Sequence, residues 1–416
     1  MKKFLTLFLG ATICFSGNSF AATLDLNSLY QIGVSQNEQI RIQQEKVVQA
    51  RALRSQAIAA VLPHLSLLGA ESYQDSAITA TGSASAFTNS HKPEYKLSLS
   101  QSLFSGFRDQ DTLSAIQAQI RKETILLAQA KRTLFQQIAQ NYFQILLFEK
   151  EWQTTEEAIQ LSKTRTAELQ RRVNIGKSRT SELLSSEAQL LNLQAQKAKI
   201  KGDLDSAKLT LSNLIGTSVS DNSFDEFPIS DTIPTLTLDT QKRTEIQALK
   251  EDIIYYTKLK KVAQNSRLPT LTLGANYYLK RIDFLEPIKW DTVLNLSIPL
   301  YQGGAINAQI DGAESQLIAA KKELDFQLRQ LDTTLKIDYV SLNSALVQKK
   351  ALESAYQKTR ESYRIYQDEY RLGLINNLEV MQALTNLLDV KHSLNSADTQ
   401  YKLSYVQLKI DQQELP

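Results

Sequence analysis

Two segments in which apolar and polar residues alternate recur nearly two hundred residues apart in this chain. Residues 97–107 read LSLSQSLFSGF, and residues 294–304 read LNLSIPLYQGG. In both, the alternation is followed by an apolar–aromatic pair, a glycine and a long stretch without proline. Alternation with a period of two predicts a β-strand with one apolar face. The recurrence predicts that the chain contains two copies of one structural unit.

Other landmarks recur at matching distances. LPHLSL at 62–67 corresponds to LPTLTL at 268–273, at an offset of 206 residues, whereas Gly176 and Gly373 are separated by 197 residues. The difference of nine residues predicts a longer loop between the paired strands of the first copy. Prolines and clustered Ser, Thr and Asp between the copies indicate a linker. We therefore predict a first repeat over 22–216, a linker over 217–243 and a second repeat over 244–416.

Each repeat is predicted to contain a β-hairpin. The alternation covers 65–74 and 95–104 in the first copy, and 270–280 and 291–301 in the second. About ten residues is the length of a tilted strand that crosses a bilayer. Aromatic residues near strand ends fit the interfacial girdles of membrane barrels; they are Tyr73, Tyr95, Phe104, Tyr277, Tyr278, Trp290 and Tyr301. A hairpin packed on a soluble core would accept the same aromatics, and this interpretation stays open.

Each hairpin is followed by an exceptionally long predicted helix. Residues 107–174 and 304–372 contain no proline, and their apolar residues recur at spacings of three, four and seven. This is the stripe of an amphipathic helix. At 1.5 Å per residue, each helix would extend about 100 Å. Gly176 and Gly373 follow these helices, where glycine commonly ends a helix. Further helices are predicted over 25–60, 181–215, 244–266 and 377–411.

The first 21 residues have the pattern of a secretory signal peptide. Lys2 and Lys3 precede an apolar run, and Ser19 and Ala21 provide small residues before the expected cleavage. Cys14, the single cysteine of the chain, lies inside this segment, so the mature protein is predicted to have no disulfide. No later segment approaches 18 consecutive apolar residues, which argues against a transmembrane helix. The exported product is therefore predicted to be periplasmic, secreted or inserted in an outer membrane as a barrel.

Composition and motifs argue against an enzyme. The chain has 47 basic and 44 acidic residues, so charge offers no reason to expect nucleic acid as a partner. His64, His91 and His392 are widely separated, without the spacing of a metal site. Phosphate-binding and dinucleotide-binding glycine motifs are missing from the sequence, as is a nucleophile-elbow serine. We therefore predict no catalytic, cofactor-binding or metal site.

Three kinds of motif, which occur in the same order in both repeats, resemble those of the TolC-type outer-membrane efflux family. The motifs are the Leu-Pro-x-Leu entry to each hairpin, the Leu-Phe/Tyr-x-Gly exit, and the helical tips RRVNIGKSRTSELLSSEAQLL and YRLGLINNLEVMQALTNLL. The resemblance implies a mainly α fold with a membrane β-barrel, in which three chains supply a 12-stranded barrel and a periplasmic α-helical barrel. Four strands per chain agree with a trimer, because two chains would give eight strands and a barrel filled by its own side chains.

The implied function is a channel-tunnel in the cell outer membrane with a long periplasmic extension. It would be the passive exit duct of a tripartite efflux pump or of a type I secretion system, gated at its periplasmic tip. The implied partners are two further copies of the chain, a periplasmic adaptor (membrane fusion) protein, outer-membrane lipid, and an inner-membrane pump of RND, ABC or MFS type. Two alternatives remain open at this point: a structural coiled-coil spacer of the envelope, and an exported adhesin.

The resemblance also implies site residues. The periplasmic gate would comprise Glu379, Gln382 and Tyr370, with Glu182 on the partner coil. Gln382 and Ile375 depart from the family pattern, because relatives carry an acid and, in some cases, an arginine there. The adaptor-contact tips would be Leu372, Gly373, Leu374, Ile175, Gly176 and Lys177. The simpler interpretations are that Glu379 is a solvated surface glutamate and that Gly373 is an ordinary helix cap.

Overall fold

A computed structural model of the chain describes residues 24–74, 91–220, 222–226, 229, 233–235, 243–282 and 286–412. The predicted signal peptide lies outside these residues. The helices are α1 (Leu26–Gln36), α2 (Glu38–Ala59), α3 (Arg108–Asn174), α4 (Thr180–Ile215), α5 (Thr244–Asn265), α6 (Ala305–Arg371) and α7 (Asn377–Asp411). The strands are β1 (His64–Tyr73), β2 (His91–Phe104), β3 (Thr270–Lys280) and β4 (Trp290–Ser297). The order helix, hairpin, long helix, turn and returning helix occurs twice, as the sequence predicted.

The chain divides into two compact units. Unit 1 comprises residues 1–37, 134–233 and 342–406, and unit 2 comprises residues 38–133, 234–341 and 407–416. Unit 2 contains the β-sheet, and unit 1 contains both helical turns.

The four strands of unit 2 form one antiparallel sheet in the order β1-β2-β3-β4. Its register aligns whole rows of like residues across the strands. One row is Leu67, Leu97, Tyr277 and Trp290, and the adjacent row is Ser66, Ser98, Asn276 and Asp291. Successive rows face opposite sides of a sheet. The sheet therefore has an apolar face and a polar face.

The apolar face is open to the surroundings of the single chain. Leu65 and Leu67 are each 68% exposed, and Leu296 is 64% exposed. The predicted aromatic Trp290 is also exposed, at 68%, whereas Tyr278 is only 7% exposed. Tyr278 departs from the girdle prediction because it lies on the polar face, where its hydroxyl donates to Asp291 Oδ2 at 2.7 Å.

Strand β4 is shorter than the predicted strand 291–301. The β3–β4 ladder ends at the pair Thr270–Ser297. Pro269 and Pro299 lie just beyond this pair. Proline has no N–H to donate to a ladder, so the alternation of residues 298–301 continues without strand pairing.

The predicted helix 25–60 is divided at Asn37. This residue takes an extended conformation with φ −64° and ψ 126°. Its side chain is buried, and Nδ2 donates to the carbonyl oxygen of Leu214 at 2.8 Å. An asparagine that satisfies its amide on another helix competes with helical geometry, so α1 ends and α2 begins at this point.

Near the turns of unit 1, four helices share one apolar core. Its buried members come from α3, α4 and α7, and Tyr363 of α6 packs against them; the buried members are Ala158, Ile159, Leu193, Leu384 and Leu388. Lateral burial of one stripe per helix is how helices of a bundle are held together. Within the described ranges, every helix is too short or too polar to be a candidate membrane span.

Candidate functional site

The turn between α3 and α4 has the geometry of a glycine C-cap. Gly176 has φ 73°. Its N–H donates to the carbonyl of Val173 at 2.9 Å, and the N–H of Lys177 donates to the carbonyl of Arg172 at 2.8 Å. These are the two hydrogen bonds of a Schellman motif, which satisfies carbonyls that the helix end leaves without partners.

The turn between α6 and α7 repeats this geometry. Gly373 has φ 77°. Its N–H donates to the carbonyl of Tyr370 at 3.0 Å, and the N–H of Leu374 donates to the carbonyl of Glu369 at 3.0 Å. The two turns are therefore equivalent in backbone structure, as expected for a duplicated unit.

Replacing Gly373 with valine is expected to strain this turn. A Cβ at Gly373 would meet nothing within 4 Å, so the cost comes from the positive φ alone. For a β-branched residue we expect a local loss of about 1–2 kcal/mol. Hydrogen exchange of the amides of residues 369–377 would report it as faster exchange in Gly373→Val. Gly373→Asn is the matched control, because asparagine tolerates this conformation; equal exchange in wild type and Gly373→Val would contradict the prediction.

Large apolar side chains project from both turns. Ile175 is 66% exposed, Leu372 is 75% exposed and Leu374 is 70% exposed, and Lys177 is also exposed. Together with Gly176 and Gly373 these are the predicted tip residues. Little of these side chains is buried in the core of unit 1, so they are available for contact with the surface of a partner.

Glu379 is part of a capping box at the start of α7. Its N–H donates to Asn376 Oδ1 at 3.1 Å, and its Oε2 accepts from the N–H of Asn376 at 3.0 Å. This reciprocal pair satisfies two donors at a helix N-terminus. Glu379 therefore stabilises the start of α7, independently of any role in a gate.

Glu379 and Gln382 line the same groove. The groove lies between α6 and α7 and has a volume of about 300 Å³. Its other lining residues are Thr359, Ser362, Tyr366, Ala383 and Asn386. Hydroxyl, amide and carboxylate groups dominate this lining, so the groove suits a polar occupant.

Tyr370 lies outside this groove, between two arginines. It is 6% exposed. The guanidinium carbon of Arg165 lies 3.6 Å from its ring centroid, and that of Arg172 lies 4.7 Å from it. A guanidinium over an aromatic face is attracted by the ring quadrupole. Arg165 belongs to α3 and Tyr370 to α6, so the stack joins two helices.

Arg165 also joins α3 to the start of α7. Its Nε donates to Asn377 Oδ1 at 2.8 Å, and Asn377 is only 1% exposed. Its Nη2 is buried without a hydrogen-bond partner. Burial lowers the pKa of Arg165, while the Tyr370 side chain acts in the opposite direction. Arginine keeps its charge in proteins, so a half-buried cation fastens three helices together; we call Arg165, Tyr370 and Asn377 the tip clamp.

Glu182 takes a different position from Glu379 despite the repeat. Its carboxylate accepts from Ser178 Oγ at 2.6 Å. The N-cap of α4 is Arg179, whose side chain makes no capping hydrogen bond. The structure thus brings Glu379 and Gln382 into one groove and places Tyr370 in the tip clamp. Glu182 instead hydrogen-bonds to Ser178 within the turn between α3 and α4.

Arg165, Asn377 and Tyr366 were missed from the sequence. Tyr366 lies at helical spacing from Thr359 and Ser362, which line the same groove from α6, and this spacing was a usable signal. Arg165 had no such signal, because its partner ring is more than two hundred residues away in the chain. In the part of the chain that the structure describes, no group of three or more His, Cys, Asp or Glu is placed to hold a metal ion.

The fold is that of known outer membrane channels. The structure of the CmeC outer membrane channel of Campylobacter jejuni superposes with a TM-score of 0.83 and 18% identity, over 93% of this chain and 85% of CmeC. In sequence, the outer membrane protein TolC of Salmonella enteritidis is 23% identical over 437 residues, covering 98% of this chain and 86% of TolC. The proteases secretion protein PrtF of Dickeya chrysanthemi is 22% identical over 250 residues, covering 56% of this chain and 54% of PrtF.

The family profile described as outer membrane efflux protein matches residues 29–217 and 240–409. This is most of the chain, which therefore belongs to the outer membrane efflux protein family. The TolC-type resemblance inferred from the sequence is confirmed. The relatives are channel proteins and not enzymes, in agreement with the sequence prediction.

Proposed function

We propose that three copies of this chain form a passive exit duct across the outer membrane, which serves a tripartite efflux pump or a type I secretion system. The observation that carries the proposal is the two-faced sheet, with its exposed leucines on one side and its serine, asparagine and aspartate row on the other. An apolar face toward lipid and a polar face toward water is the arrangement of a channel wall.

The trimer is supported by the edges of the sheet. Strands β1 and β4 each pair with one neighbour only in the described chain. An open sheet edge in lipid leaves backbone groups without partners at several kcal/mol each. Pairing β4 of one copy with β1 of the next would close the sheet. Three copies give 12 strands, which leave room for a lumen, whereas eight strands would be filled by side chains.

Analytical ultracentrifugation in detergent is expected to give a trimer of the mature chain. The physical reason is edge pairing in the sheet together with burial of the exposed apolar side chains of the helices, such as Phe326 and Val347. Heating in detergent before electrophoresis is expected to convert the trimer into monomers only at high temperature. A monomer that binds detergent and keeps its helical content would contradict the prediction.

The helical turns are proposed as the periplasmic end of the duct. The exposed tip residues suit a periplasmic adaptor (membrane fusion) protein, whose own partner would be an inner-membrane pump of RND, ABC or MFS type. Such a pump must supply the energy, since the sequence carries no nucleotide-binding motif. We propose type I secretion as well as efflux because the relative PrtF is named as a proteases secretion protein.

The gate is proposed at the α6–α7 turn. It comprises Glu379 and Gln382 in their groove and Tyr370 in the tip clamp, with Glu182 at the equivalent position of the first copy. Threefold repetition would place three Glu379 carboxylates around one opening, which favours cations.

Planar-bilayer recording of the purified protein tests the function directly. We expect discrete channel openings with a preference for cations. An envelope spacer or an adhesin would give no conductance, so a silent bilayer, with the protein folded and inserted, would overturn the proposal.

A further inference from the structure

Four helical segments of unit 2 lie side by side in the order α2, α3, α5, α6. This is also the order of the strands that they adjoin, β1 to β4. A side-chain contact joins each helix to the next; the contacts are Gln43 with Glu123, Arg121 with Glu251, and Lys260 with Glu314. Helices α2 and α6 are therefore the two ends of the row, and each has one side that faces away from its neighbour.

The contact between α3 and α5, which we call the inner seam, is ionic. The Arg121 guanidinium group is bidentate, because its Nε and Nη2 donate to the two carboxylate oxygens of Glu251 at 2.9 and 2.8 Å. A bidentate pair fixes the relative position of two helices as well as stabilising their contact. The other polar contacts of the inner seam are Lys122 with Asp252, and Asp111 with both Lys258 and Asn265.

The duplication of the chain predicts a second contact of the same kind. Residues of α3 correspond to residues of α6 at an offset of 197, and residues of α2 correspond to residues of α5 at an offset of 206. The equivalent of the inner seam is therefore a contact between α6 and α2. Because these helices lie at opposite ends of the row, this contact can form only between two copies of the chain. We call it the outer seam.

The α6 side of the outer seam is apolar. The three charged residues that α3 contributes to the inner seam are replaced, in chain order, by Ala308, Ile318 and Ala319. Phe326 and Ile337 follow Ala319 by 7 and 18 residues, which are two and five helical turns, so they continue the same side of α6. Ile318, Phe326 and Ile337 are each more than half exposed in the single chain. Such a stripe of exposed apolar side chains marks a surface for a partner.

The α2 side of the outer seam lacks the matching charges. Ala52 and Ala59 replace the two side chains that donate to Asp111 in the inner seam. Glu45 and Lys46 are charged, but the positions opposite them on α6 are apolar. Exposed apolar side chains flank these positions; they are Ile42, Val48 and Leu53. None of the ion pairs of the inner seam can therefore be repeated between copies.

The residues beside the sheet show the same difference. A Cβ at Gly106, after β2, would lie 2.8 Å from the Cβ of Leu268, because this glycine packs directly on the entry to the second hairpin. At the equivalent Gly303, a Cβ would meet nothing within 4 Å in the described part of the chain. Leu300 is 92% exposed, and Leu62, the equivalent of Leu268, is 52% exposed. The chain makes this contact once within itself and presents both halves of a second one.

We propose that copies of this chain join through the outer seam, with α6 of one copy packed on α2 of the next, and that this seam is apolar whereas the inner seam is ionic. The inference rests on the proposed trimer and deepens it, since it states which faces meet and what holds them together. The partner is a second copy of the chain, because the inner seam provides a template for both faces. Salt screens exposed ion pairs but does not weaken apolar burial. Wild-type trimers are therefore expected to persist at about 1 M salt.

Opposite charges placed at Ile318 test which surface lies against it. In Ile318→Arg the new guanidinium group would face Glu45, as Arg121 faces Glu251, so we expect trimers that form at low salt and dissociate more readily at high salt. In Ile318→Glu two carboxylates would face each other, and we expect loss of most of the trimer at low salt. Adding Glu45→Arg to Ile318→Glu should restore it. Ile318→Gln is the neutral control and should lie between the two charged variants.

Analytical ultracentrifugation in detergent measures the trimer fraction of each variant, and circular dichroism checks that its helical content is unchanged. Equal trimer fractions in Ile318→Arg and Ile318→Glu, or no recovery on adding Glu45→Arg, would overturn this inference while leaving the trimer itself in place. The same result is expected if a different protein covers α6. A monomeric wild type would instead overturn the proposed trimer, so the two failures are distinguishable.

Cross-linking tests the outer seam without adding charge. Ala308 and Ala59 are the equivalents of Asp111 and Asn265, whose side chains are joined by a hydrogen bond of 3.1 Å. With Ala308→Cys and Ala59→Cys in one chain, a short bismaleimide is expected to link copies into covalent trimers. Neither single variant should give them, and the single native cysteine, Cys14, lies in the predicted signal peptide. Absence of covalent trimers from a double variant that still sediments as a trimer would contradict the proposal.

Discussion

Replacing Arg165 with methionine is expected to open the tip and increase the fraction of time that the channel conducts. Arg165 contacts Tyr370 of α6 and Asn377 of α7 from its place on α3. Any outward movement of the α6–α7 hairpin away from α3 must break both contacts. Methionine keeps the length of the apolar stem but removes the charge and the donors.

The size of the effect follows from the two contacts. A hydrogen bond from a charged donor contributes about 1.5–3 kcal/mol, and a cation–π contact about 1–2 kcal/mol. Part of this is offset, because burial of the guanidinium group, with its Nη2 unpartnered, is itself costly. A net loss of about 2 kcal/mol would raise the ratio of open to closed channels roughly thirtyfold.

Arg172→Met is the matched control for this prediction. Arg172 also faces Tyr370, but at 4.7 Å, and its Nη2 pairs with Glu168 Oε1 on the same helix at 2.9 Å. Its contact with α6 is weaker, so we expect a smaller change in open probability. Equal open probabilities in Arg165→Met and wild type, measured in planar bilayers with trimers of unchanged mobility, would exclude the tip clamp from gating.

The position of Ile375 is one at which this sequence departs from its family. Ile375 occupies the position at which some relatives carry an arginine, so the sequence predicted a different closing network. The structure places the guanidinium group of Arg165, from α3, over the Tyr370 ring. No pattern in the sequence pointed to Arg165 as the residue that makes this contact.

Periodicity predicted the helices closely. The prediction for α7 matches the structure at both ends, and α6 differs from its predicted bounds by one residue at each end. Long helices without internal proline, ended by glycine, leave few alternatives for their boundaries. The break at Asn37 was missed because its cause is a hydrogen bond to Leu214, which is distant in sequence.

Glu379 and Gln382 were named only through the family resemblance. They are separated by three residues, a spacing that places them on one side of α7, and they line one groove. Contacts between helices were not predictable in this way. The tip clamp joins segments far apart in the chain, and no local pattern specifies which faces meet.

The capping box also makes Glu379 unusually suitable for a charge test. Glutamine at the third helical position supports the same reciprocal hydrogen bonds as glutamate. Glu379→Gln therefore removes one negative charge per chain while keeping the helix start and the shape of the groove. Any change in ion selectivity can then be assigned to the charge.

We expect Glu379→Gln to reduce the cation preference of the channel and to weaken its block by divalent cations. Three carboxylates around a narrow opening attract cations, and their removal abolishes that ring. The converse variant, Gln382→Glu, would add a second ring in the same groove and should strengthen the block. Glu361→Gln is the control, because Glu361 is exposed on α6 and paired with Arg364 at 2.8 Å outside the groove. Unaltered selectivity and block in both groove variants would leave Glu379 with its capping role alone.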